Sequence, residues 1–144
     1  MTSWSPPEAV IVGHGDNLSV EITIPGIPVA QPRPRGRLVN GRIIVFNPAS
    51  RELNAFRRSV RECLGGLSVG MFPMFDIAVS LEVKAIFFVS NMRKDVDNML
   101  KFVLDALQGV VYPDDRIIVT IQAKKIRCTV REQRTVLEVT AMRV

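Results

Sequence analysis

Residues 75 to 89 alternate apolar and polar side chains for longer than any other stretch of the chain. Phe75, Ile77, Val79, Leu81, Val83, Ala85, Phe87 and Val89 fall on one face, with Asp76, Ser80, Glu82 and Lys84 on the other. A period of two over fifteen residues predicts one long strand buried on a single side. Such a strand needs a sheet around it and something apolar over its buried face. The following segment supplies that cover. After a loop, SNMRK, the apolar residues Val96, Leu100, Val103, Leu104 and Leu107 repeat at helical spacing, and Gly109 marks the stop.

The remaining elements complete a sheet with two helices. SVEITI, 19 to 24, alternates as a half-buried strand, and RIIVF, 42 to 46, reads as a short one. Between them, PGIPVAQPRPRGRLVNG is an extended, proline-stiffened loop. Asn47-Pro48 predicts a helix start, with Asn as N-cap and Pro in the first helical position. This helix runs to about Leu64 and stops at Gly65-Gly66. Leu53, Phe56, Val60, Cys63 and Leu67 form its apolar stripe, opposite Arg51, Asn54, Arg58 and Arg61. Two strands, near Arg116 to Ile126 and Thr135 to Ala141, close the chain. The order β-β-α-β-α-β-β predicts an α+β (mixed α/β) domain, a single mixed sheet with two packed helices, over residues 18 to 144. Residues 1 to 17 lack periodicity and are expected to form a flexible tail.

With 47% hydrophobic residues among 144, the chain can bury a core without disulfide or zinc support. Cys63 and Cys128 have no CxxC or CxxH neighbours, and two reduced cysteines suit a cytoplasmic protein. No signal peptide or membrane span is expected.

Charge is distributed regionally. The net charge is +5, yet Gln31 to Arg61 holds eight arginines against Glu52, giving 8 − 1 = +7. The rest of the chain is therefore 5 − 7 = −2. Arginines outnumber lysines 14 to 5, and the planar guanidinium fork suits phosphate. A concentrated basic region points to nucleic acid.

In this basic chain, four aspartates flank the second helix. Asp95 and Asp97 precede it; Asp114 and Asp115 follow Tyr112-Pro113. Each has an ordinary reading: Asp97 favours the helix dipole and pairs with Lys101, and Asp114 and Asp115 sit in a turn. Together they could instead gather around a hard divalent cation, with Lys101 beside it. That requires the chain after the helix, about 18 Å long by its rise per residue, to return to the start of the helix. The sequence leaves that open. An EF-hand fails, because Met99 and Leu100 occupy the positions of a ligand and the invariant glycine. An aspartate-nucleophile motif fits poorly after Asn91, Met92, Arg93 and Lys94. There is no Walker A, no GxGxxG and no nucleophile triad, and the single histidine, His14, lies in the tail.

The run KDVDNMLKFVLDALQGVVYPDD, with upstream PGIPVAQPRPRGR and GRIIVFNPASRELNAFRRSVREC, resembles the RusA family of Holliday junction resolvases over roughly residues 20 to 142. The resemblance implies a homodimeric, Mg²⁺-dependent crossover junction endodeoxyribonuclease, with Mn²⁺ as a substitute. Such an enzyme resolves four-way DNA junctions by paired symmetric nicks in recombination and repair. It needs no organic cofactor and no membrane. By the same resemblance, Asp95, Asp97 and Asp115 match the metal-binding catalytic acids, Lys101 the catalytic lysine, and Asp114 a further acid. Lys94 holds the basic position before the first acid. With the charge pattern, Arg33, Arg35, Arg37, Arg42, Arg58, Arg61, Arg93 and Lys94 are the expected DNA contacts. The tail before Leu18 and the arginine-rich Gln31 to Arg42 segment depart from the shorter family pattern and bear on junction preference. A non-catalytic DNA-binding module and a flap or branched-nucleic-acid nuclease are the alternative readings.

Overall fold

The structure, a computed structural model, describes residues 6–13, 18–31, 35–46, 49–67 and 72–142. Its main sheet has five strands in the order β1-β2-β7-β5-β6. These are β1 (Glu8–Val12), β2 (Ser19–Pro25), β5 (Ser80–Val89), β6 (Ile118–Arg127) and β7 (Arg134–Met142). β5 and β6 are parallel; the other neighbours are antiparallel. Among the described residues, the strands β3 (Arg35–Val39) and β4 (Arg42–Phe46) pair only with each other. Two helices, α1 (Ser50–Gly65) and α2 (Val96–Leu107), complete the fold. The α+β class and the expected element order hold, with β1 and β3 added.

Alternation decides which sheet face is covered. Val20 and Ile22 of β2, Leu81, Val83 and Phe87 of β5, and Leu137 and Val139 of β7 are all fully buried. The register aligns them: Val20 opposite Val139, Val139 opposite Val83. α1 lies against β1 and β2, and α2 against β5 and β6. The two helices meet through Phe56 and Phe102, packed edge to face at 5.6 Å. The opposite sheet face carries the half-buried pair Lys84–Glu82 at 3.3 Å and the hydroxyl pair Ser19–Thr140 at 3.0 Å.

Four expectations change. Glu8–Val12 is an edge strand rather than tail; it leaves Val10 and Val12 exposed, so its period is weak. RIIVF lies outside the main sheet, in the hairpin with β3. β5 begins at Ser80, because the Asp76 carboxylate accepts from the Ala78 N–H at 2.6 Å and turns the chain. The backbone at Met74 and Phe75 bonds instead to Val110 and Val111. The buried side of α2 is also rotated: Met99, Phe102, Val103, Ala106 and Leu107 are buried, whereas Val96, Leu100 and Leu104 are half-buried. The Asn47-Pro48 helix start and His14 lie outside the described residues. No helix among the described residues is long and apolar enough to cross a membrane.

Candidate active site

The β5–α2–β6 unit positions all four aspartates. Beyond Val89 the chain turns at Asn91, whose side-chain carbonyl accepts from the Arg93 N–H at 3.0 Å. Lys125 of β6 reaches across and donates to the carbonyls of Met92 and Lys94, at 2.7 and 2.8 Å. One ammonium thus holds both ends of the loop that leads into α2. Asp95 is the N-cap residue, with extended backbone and no side-chain cap bond. Its carboxylate receives a long contact from the Asn98 amide, at 3.4 Å. Asp97 stands in the first helical turn rather than before the helix. Both acids are exposed and Val96 between them is half-buried. Lys101, one turn on, is exposed as well. Among the described residues, no ion pair joins Asp97 to Lys101.

The root of the arginine-rich segment lies against the same end of α2. The Gln31 N–H donates to the Asn98 carbonyl at 3.0 Å, and the Lys94 ammonium donates to the Pro28 carbonyl. Burial pushes the Lys94 pKa below its ordinary value. Lys94 is thus tied by its ammonium to this strap. Arg93, Arg58 and Arg61 are exposed, as are Arg37 and Arg42 on the hairpin. Arg33 and the side chain of Arg35 lie outside the described residues.

At the other end of α2, Arg57 of α1 donates to the carbonyls of Asp105 and Ala106, at 2.8 and 3.2 Å. α2 has no basic residue in its own last turn, so α1 supplies the cation for its negative end. Gly109, at φ 87°, lets the chain reverse directly after the helix. Tyr112 is fully buried and donates to the Leu104 carbonyl at 2.6 Å. Burial, with the charges of Asp115 and Asp105, holds its phenol far above the usual range. Asp114 accepts from the Arg116 N–H at 3.0 Å and lies 3.6 Å from the Arg116 guanidinium. That backbone bond, foremost, lowers its pKa. Asp114 is thus engaged locally, while Asp115 stands exposed at the head of a single 3-10 turn.

The two acid pairs do not meet within the chain. Asp95 follows the C-terminal end of β5, and Asp115 precedes the N-terminal end of β6. Because those strands are parallel, with Leu81 opposite Ile118 and Val89 opposite Arg127, the pairs stand at opposite ends of α2. The helix has 12 residues and is about 18 Å long. Among the described residues no three Asp, Glu, His or Cys side chains are grouped to hold a metal ion. Among the described residues, the chain offers hard oxygen donors at each end of α2 but no complete cation site.

The profile of the endodeoxyribonuclease RusA family matches residues 25–140. The chain belongs to this family. The match runs from Pro25, the last residue of β2, to within β7, and includes both acid pairs, Lys101 and the arginine-rich segment. The chain is also 31% identical over 126 residues to uncharacterized protein YqaN of Bacillus subtilis (strain 168), covering 74% of this chain and 86% of that one.

Three residues that brace α2 were not singled out from sequence. Lys125, Arg57 and Tyr112 act on carbonyls 31, 33, 48, 49 and 8 positions away. A lysine in a strand, here beside Lys124, carries no signal of such a bond. Tyr112 had one: a lone aromatic before Pro113, directly beside the acids.

Proposed function

We propose that this RusA-family chain is a homodimeric, divalent-metal-dependent endonuclease that cuts four-way DNA junctions by paired nicks, acting inside the cell in recombination and repair. The observation that carries this reading is the exposed Asp95–Asp97 pair with Lys101, at the helix end where the arginine-rich segment is strapped down. Phosphate contacts from Arg37, Arg42, Arg58 and Arg61 position the DNA without reading its sequence. Asp95, Asp97 and Asp115 are the proposed metal ligands, with Mg²⁺ the expected ion and Asp114 a weaker candidate. Lys101 places a positive charge where the phosphorus centre gains negative charge in the transition state.

The separation of the acids along α2 supports the dimer. A site using both ends of the helix must take Asp95 and Asp97 from one protomer and Asp115 from its partner. A two-fold axis then makes two such sites at once, matching two symmetric cuts.

The test is complementation between inactive variants. Asp97→Asn and Asp115→Asn are each expected to abolish cleavage of a labelled four-way junction in Mg²⁺, as does EDTA with the parent protein. Mixed protomers of the two variants retain one intact shared site and should nick one strand without resolving the junction. No nicking by the mixture would place each site within a single protomer. Junction binding with no cleavage by the parent protein would favour a DNA-binding module, and a preference for flaps the alternative nuclease.

A further inference from the structure

Among the described residues, the β3–β4 hairpin pairs with no strand of the main sheet. Asn40 and Gly41, at φ 49° and 77°, close it in the two-residue turn that suits a twisted ribbon. Its register sorts the side chains. Arg37 faces Ile44 and Val39 faces Arg42 on one side, while Leu38 faces Ile43 on the other. Leu38 is 72% exposed and Ile43 75%. Gly36 adjoins this pair: a Cβ there would lie 3.3 Å from Ile43 Cγ2, tighter than an ordinary contact. The ribbon therefore presents Arg37 and Arg42 on one side, with the half-exposed Ile44 between them, and a barer aliphatic pair beside its tip on the other.

Charge selects the occupant. Residues 35 to 46 contain three arginines and no acid, a net +3. Docking two such ribbons on each other would oppose like charges; a polyanion would not. Two strands about 5 Å apart fit a DNA major groove about 12 Å wide. Apolar side chains set between base steps unstack them and bend the duplex. The position is also suitable. Gln31 is bonded to Asn98 of α2, and the four chain steps from Gln31 to Arg35 span at most about 14 Å. The ribbon thus starts close to the end of α2 that bears Asp95 and Asp97.

We propose that the β3–β4 hairpin is a wedge for the branch point: Leu38 and Ile43 stack on base faces opened there, while Arg37 and Arg42 hold the flanking phosphates. This rests on the reading of the chain as a junction nuclease. The test uses the full chain in EDTA with a four-way junction carrying 2-aminopurine beside the branch, and a linear duplex with the same label. The parent protein should raise the fluorescence of the junction and leave that of the duplex unchanged. Leu38→Thr/Ile43→Thr keeps β-branched, strand-compatible residues at exposed positions; it should remove the rise and leave duplex affinity within about threefold. Arg37→Gln/Arg42→Gln should instead flatten the salt dependence of binding, by about two in the log–log slope. The wedge is overturned if the threonine variant keeps the fluorescence rise. It is equally overturned if that variant changes the oligomeric state, or loses affinity for anionic vesicles in place of the junction signal. Cleavage of junctions in Mg²⁺ is scored separately. Cleavage without a fluorescence rise sinks the wedge alone; a rise without cleavage sinks the nuclease reading alone.

Discussion

Tyr112 is the one tyrosine of the chain, so its phenolate absorbance reports a single group. Its hydroxyl bonds the Leu104 carbonyl inside the core, and its pKa is raised chiefly by burial. A raised pKa means that the folded state keeps a proton that the unfolded chain loses above about pH 10. The stability linked to this group is therefore complete below pH 10 and falls by about 1.4 kcal/mol per pH unit above it. Tyr112→Phe should cost about 1 kcal/mol at pH 7 through the lost hydrogen bond. Denaturant melts at rising pH should show that deficit shrinking above pH 10 and reversing near about pH 11. A constant deficit would mean that the phenol ionises freely in the folded protein. Lys101 gives the opposite kind of prediction. It closes no ion pair with Asp97, so Lys101→Met should change stability by less than about 0.5 kcal/mol. Cleavage should fall by about two orders of magnitude or more if its charge serves the transition state. Near-normal cleavage would remove Lys101 from the chemistry. At this scale the placing of Asp97 and Lys101 on α2, and of Asp114 and Asp115 in the turn after it, was legible, because helix spacing and a run of aspartates around one segment are local signals. The Lys94 contact with Pro28 was not, since 66 residues separate the partners.

Among the elements, α2 depends most on its neighbours. Its negative end is served by Arg57, whose fork spans two carbonyls. Arg57→Met should destabilise the protein by about 1–3 kcal/mol, and Arg57→Lys should recover only part of that, since an ammonium lacks the fork. Thermal melts decide it, and equal stability of all three proteins would show that the contact contributes nothing. The helix itself was readable from its period and from Gly109. Its rotation was not: Phe102 turns inward to meet Phe56 of α1, and a partner on another element leaves no mark on the pattern. β5 shows a different limit. Alternation from Phe75 to Val79 was real, yet the Asp76 side chain competes for backbone N–H groups and ends the strand at Ser80. β1 was missed because a short edge strand with exposed valines has little alternation to read.

At the scale of the molecule, the basic region should be felt as salt dependence. If residues 31 to 61 make about five to seven phosphate contacts, log affinity for a junction should fall against log salt with a slope of about −4 to −6. Arg58→Gln/Arg61→Gln should flatten it by about two if both residues contact phosphate. Anisotropy titrations across salt concentrations measure this directly, and an unchanged slope would take the α1 arginines off the DNA surface. The sheet order could not be read from sequence, because strand pairing joins distant segments and the pattern records only which face is buried. That order has a consequence for synthesis. β7 is made after every other strand, yet it lies between β2 and β5 and pairs with both. Until residues 134 to 142 are available, the β1–β2 pair and the β5–α2–β6 unit have no strand to join them. A nascent or prematurely terminated chain would hold both acid pairs and most of the arginines without a closed scaffold. The complete sheet can therefore close only once translation has passed β7, so the scaffold beneath both acid pairs is assembled last.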